Sequence, residues 1–107
     1  MATIPVKIKK IINRYFKILK KNNISIQKAV LFGSYARGDN NKWSDIDLAI
    51  VSELFEGNRI KDKNKIRSIT LSVSSDLEIL PFSPKEFNVN NPFVKEILRT
   101  GIVLKNL

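Results

Sequence analysis

An apolar run from Ile26 to Phe32 ends in Gly33-Ser34, and a second run from Asp45 to Val51 opens with two carboxylates, Asp45 and Asp47. Between them lies a polar stretch that includes the turn-forming cluster Asp39-Asn40-Asn41-Lys42. Two apolar runs bounded in this way read as two strands joined by a loop. Residues i and i+2 of a strand face the same side, so Asp45 and Asp47 present neighbouring carboxylates. Such a pair repels itself unless a cation lies between, and hard oxygen ligands suit Mg²⁺. A Gly-Ser at a strand end leaves backbone N–H groups and a hydroxyl to hold phosphate. Together these parts describe a site for a metal-bound nucleoside triphosphate.

The remaining periodicities supply a frame for that site. Ile4, Ile8, Ile11, Ile12, Tyr15, Phe16 and Leu19 recur at helical spacing, predicting an amphipathic helix over 4–21 that Asn22-Asn23 stops. Lys7, Lys10, Arg14, Lys17 and Lys21 form a second stripe on its far side, either a solvated face or a surface for an acidic partner. A weaker signal over 58–74 predicts a helix with Ile60, Ile66, Ile69 and Val73 along one side. Asp76 to Pro81 reads as a third strand. Asn91-Pro92 and Gly101 bracket a short helix over 92–100, after which Ile102-Val103-Leu104 is a closing apolar segment. The order helix, strand, strand, helix, strand, helix gives a single α/β domain, a small mixed sheet flanked by helices.

Composition narrows the chemistry. A chain of 107 residues suits one hydrophobic core, and no apolar run approaches a membrane span. With no signal-peptide pattern, a cytoplasmic location is expected. The chain has neither cysteine nor histidine, so catalysis must run on carboxylates, hydroxyls, Lys or Arg, and bound metal. The net charge of +9 points to an anionic partner, although the abundance of Ile, Asn and Lys shows a general compositional bias.

Gly33-Ser34, a gap of ten residues, then Asp45-x-Asp47, with Arg37-Gly38 and Ser44 in place, resembles the signature of the nucleotidyltransferase superfamily. The resemblance implies the nucleotidyltransferase fold over most of the chain, and at this length the catalytic core alone. It implies that Gly33 admits the triphosphate to the backbone, that Ser34 bonds its β- or γ-phosphate, and that Arg37 supplies a planar cation for the same phosphates. It further implies a third carboxylate on the third strand, completing a site for two Mg²⁺ ions. Glu78, flanked by Leu77 and Ile79, fits that place, with Asp76 on the same face as its rival. The family usually has Asp there, so a Glu is a departure. Tyr35 is left to stack on a base or face solvent, and Trp43 to pack in the core or at the rim in preference to contacting the nucleotide.

A chain of this size resembles the minimal nucleotidyltransferases that act as antitoxins. That likeness implies transfer of AMP from ATP to a tyrosine hydroxyl of a HEPN-type toxin. Two other functions fit the residues. One is a module of the same fold that neutralises its partner by binding alone. The other is a nucleic-acid-binding protein that uses the basic stripe, against which stands the lack of aromatic residues interleaved for base stacking. The sequence is compatible with an oligomer.

Overall fold

The computed structural model of the chain describes residues 4–106. Helix α1 (Val6–Lys21) leads into β1 (Lys28–Phe32), followed by a single helical turn, α2 (Ser34–Arg37), and β2 (Ile46–Val51). Then come α3 (Arg59–Val73), β3 (Leu77–Phe82), α4 (Pro92–Thr100) and β4 (Ile102–Asn106). The strands form one sheet in the order β3-β2-β1-β4. β1 runs antiparallel to both β2 and β4, and β2 is parallel to β3, with α3 as the crossover between them. The expected mixed sheet flanked by helices is therefore present. The closing apolar segment is in fact its fourth strand.

Alternation along the strands sorts the core into two layers. Leu31, Ile46, Leu48, Ile50, Leu77 and Ile79 face α1 and α3, where they meet Ile8, Ile12, Leu19 and Ile66. Val30, Ala49, Val51 and Phe82 face the opposite way and pack with Val94 and Ile97 of α4. A hydrogen bond of 2.7 Å joins α1 to α3. Tyr15 donates to Thr70 Oγ1, whose own hydroxyl donates to the Ile66 carbonyl. Burial pushes the Tyr15 phenol up to about 12. Asn91 caps α4 through its side chain, with Pro92 at the first helical position, as its sequence indicates.

Helix α3 departs from expectation. Ile66, Ile69 and Val73 pack toward the core as expected, beside the buried Asp62 and Thr70, but Ile60 lies outside that face, 74% exposed. The apolar residues of this helix are split between two sides, which is why its periodicity is weak. Asp62 is buried and accepts hydrogen bonds from the N–H groups of Glu56 and Gly57, both at 3.0 Å, and from Lys65. Together with the Asn58 cap, it pins the loop leading from β2 into α3. Asp62→Ala would leave two N–H groups without acceptors. A loss of about 2–4 kcal/mol is expected, readable as a lowered urea midpoint with unchanged m-value.

Candidate active site

The site forms where β1 ends and β2 begins. Gly33 has φ +75°, a left-handed conformation that favours glycine, and turns the chain from β1 into α2. A second constraint acts at the same atom. A Cβ on Gly33 would collide with the Asp47 carboxylate, so glycine here is what lets that carboxylate lie against the turn. The N–H groups of Ser34 and Tyr35 open the helical turn and have no intrahelical acceptor. The carbonyls of Gly33 and Ser34 accept the bonds that close it. Free N–H groups and the half-buried Ser34 hydroxyl thus gather at one point, suited to an anion.

Register brings the acids together across strands. Phe32 of β1 is opposite Asp47 of β2, and Asp47 is opposite Glu78 of β3. By alternation, Asp47 and Glu78 share the sheet face that carries Ala49, Val51 and Phe82. Burial raises the half-buried Asp47 carboxyl above its ordinary range, and the nearby charges of Asp45 and Glu78 raise it further, while Arg37 partly offsets them. Neither Asp45 nor Asp47 is in an ion pair among the described residues. Asp76 lies one residue before β3. Its carbonyl accepts from the Ile46 N–H, but its carboxylate is exposed and does not figure among the charges acting on Asp47. Of the two rivals, Glu78 is the one placed beside Asp47.

The donor set can be tested against the expected metal. Three carboxylates offering only hard oxygens, one of them protonating more readily because burial and then the charges of the other two raise its pKa, form a set that a divalent cation would relieve. Among the described residues no three acid side chains are gathered as a ready-made ion cage. The Glu78 side chain is drawn to Lys63 of α3 at 3.2 Å and has to swing from that pair to ligate with the aspartates. The set fits a metal whose binding includes that movement.

Other candidates divide. Arg37 is exposed and pairs with Asp39 at 3.2 Å, while its charge is also felt at Asp47. Tyr35 neither faces solvent nor offers a stacking surface, because it is buried in the core cluster that includes Leu31, Ile46 and Leu48. Trp43 does not pack in the core. It is 81% exposed on the loop before Asp45, with Lys42 Nζ 4.9 Å from its ring centroid. Two participants escape a reading by local pattern. One is Lys63, fifteen residues from its partner Glu78, and the other is the close approach of Asp47 to Gly33.

A Gly-Ser turn beside a cross-strand carboxylate group on a mixed sheet is an arrangement suited to a metal-bound nucleotide. Comparison agrees, and the chain belongs to the nucleotidyltransferase domain family, whose description it matches over residues 12–104. A Methanocaldococcus jannaschii protein named as a protein adenylyltransferase is 34% identical over 79 residues, 72% of this chain and 77% of that protein. A second from the same organism, named likewise, is 27% identical over 96 residues, 90% of this chain and 92% of its own length. Among solved structures, a nucleotidyltransferase from Sulfolobus solfataricus shares the fold with a TM-score of 0.67 at 17% identity, covering 92% of this chain and 79% of that one. A chain from a toxin–antitoxin structure with AMP-PNP matches with a TM-score of 0.63 at 22% identity, over 89% of this chain and 73% of its own.

Proposed function

We propose that the chain is a Mg²⁺-dependent protein adenylyltransferase that places AMP from ATP on a tyrosine hydroxyl of a partner, a HEPN-type toxin that it silences as antitoxin. The observation that carries this reading is the alignment of Asp47 with Glu78 across the parallel strands, directly beside the Gly33–Ser34 turn. The names of the similar proteins, protein adenylyltransferases and a toxin–antitoxin pair with AMP-PNP, support the choice of ATP and of a protein acceptor.

In the proposed reaction the triphosphate tail rests on the Ser34 and Tyr35 N–H groups and the Ser34 hydroxyl. Arg37, released from its exposed pair with Asp39, closes on the outer phosphates. Asp45, Asp47 and Glu78 would hold a pair of Mg²⁺ ions, which supply charge neutralisation at the attacking and leaving oxygens. The tyrosine oxygen forms a bond to the α-phosphorus as the bond to the bridging β-phosphate oxygen breaks. Pyrophosphate leaves with the electron pair. Glu78, with its longer reach than an Asp, takes the phenolic proton and passes it to water. Removing the guanidinium by Arg37→Ala is expected to raise the KM for ATP about tenfold, as loss of a charge-assisted contact costs about 1.5 kcal/mol. The melting temperature should stay within a degree or two, because the pair lost is exposed.

Mass spectrometry of the partner after co-expression tests the reading. An AMP adduct on one tyrosine supports it, whereas an adduct confined to other side chains, a bare phosphate, or an unmodified partner contradicts it.

A further inference from the structure

Across the sheet, the pieces of the site lie in a fixed order. The Gly33–Ser34 turn ends β1, Asp47 is on β2, Glu78 is on β3, and among the described residues no strand pairs with the outer edge of β3 beyond Glu78. Along that edge, between α3 and β3, runs a groove of about 360 Å³. Leu77, Ile79 and Leu71 give it apolar walls, Lys63 and Arg67 are its cations, and Glu78 is the one acid lining it. Ile60 and Leu71, three turns apart on one side of α3, stand 74% and 57% exposed over it. This is where the unaccounted apolar residues of α3 point.

In-line displacement at the α-phosphorus needs the attacking oxygen and the departing pyrophosphate on opposite sides. With the phosphate tail at Gly33–Ser34, the acceptor must come from the Glu78 side, where the groove lies. We propose, resting on the adenylyltransferase reading above, that this groove seats the segment of the partner protein that carries the acceptor hydroxyl. Charge defines the occupant further. α1 and α3, packed side by side, hold twelve of the nineteen Lys and Arg of the chain and one of its ten acids, so they carry +11 while the rest carries −2. The segment that fits is apolar where it meets Ile60 and Leu71 and acidic where it passes Lys63 and Arg67, with its hydroxyl turned toward Glu78. As it docks, one of its acids takes over Lys63 and frees Glu78 to join Asp45 and Asp47. Acceptor binding and completion of the acid group are thereby the same event.

The test uses the full chain with the protein encoded beside it, comparing wild type, the Ile60→Asp/Leu71→Asp double variant and Arg67→Glu. Both sets of changes fall on exposed side chains, and thermal melting checks that folding is retained. The expected result is a KM for the partner raised tenfold or more in both variants, with kcat within about threefold and the Kd for ATP unchanged. Equal labelling and equal partner affinity in all three proteins would overturn the groove while leaving the adenylyltransferase reading intact. If wild type binds the partner but never labels it, the transfer reading fails. Complex formation then decides the groove, which stands if the variants weaken the complex tenfold and falls if they do not. Neither labelling nor a complex with wild type would overturn both.

Discussion

Asp47→Asn is expected to lower AMP transfer by roughly 10³-fold or more, since a carboxylate that helps neutralise developing charge is worth several kcal/mol in the transition state. The same substitution should stabilise the metal-free fold. Burial and the Asp45 and Glu78 charges raise the Asp47 pKa, so the folded chain holds that proton more tightly than the unfolded chain does. Its contribution favours folding at low pH and is lost as pH rises through the elevated value. At neutral pH the ionised group is a burden that the amide removes. The metal-free Asn variant should therefore melt higher than wild type at pH 7, with the difference closing on acidification to the ordinary carboxylate range. Adding Mg²⁺ should raise the melting temperature of wild type and leave that of the variant nearly unmoved. A variant that loses activity and stability together would indicate a structural aspartate instead.

Gly33→Ala should be the next most damaging change, for two separable reasons. An alanine at φ +75° and ψ −154°, a region used essentially by glycine alone, costs about 1–3 kcal/mol in backbone strain. Its Cβ also takes the space of the Asp47 carboxylate, which has to move out of line with Glu78. Transfer is expected to fall at least 10²-fold, the scale on which small misplacements of reacting groups are felt. Gly57→Ala is the matching control. It shares a positive φ of +95°, but the nearest atoms to its Cβ belong to the Glu86 carboxyl at 3.9 Å. A comparable loss of stability with activity retained is the outcome for Gly57, measured by urea unfolding beside steady-state transfer. If both variants were equally active, the close approach of Asp47 would have no bearing on the chemistry.

The contrast between those glycines bears on what a sequence can disclose. Gly33-Ser34 and Asp45-x-Asp47 are visible because strand ends and period-two acids are local patterns, and the observed strands bear out their placement within two residues at each end. The buried stripe of α1 is equally local, with Ile8, Ile12, Tyr15 and Leu19 on one face of one helix. What stays hidden depends on partners distant in the chain. Ile102 to Leu104 becomes a strand only because β1 lies alongside, and α2 is one turn, too short for any period to show. The parity of Glu78 and Asp76 is identical, so their choice rests on the β2–β3 register, which no local pattern sets. Ile60 is apolar at near-helical spacing with its neighbours, yet it serves the outside of α3, because the inward position of that first turn is taken by Asp62 to anchor a loop.

If nucleotidyl transfer takes place at the paired aspartates, label from α-³²P-ATP must reach the purified partner through them. Wild type and the Asp45→Asn/Asp47→Asn double variant should be compared with Mg²⁺ present. Label on the partner is expected with wild type and none above background with the double variant, although both proteins bind the partner equally. Equal labelling by the two would place the chemistry elsewhere. No labelling by wild type in a stable complex would make the chain a binding module on a nucleotidyltransferase fold.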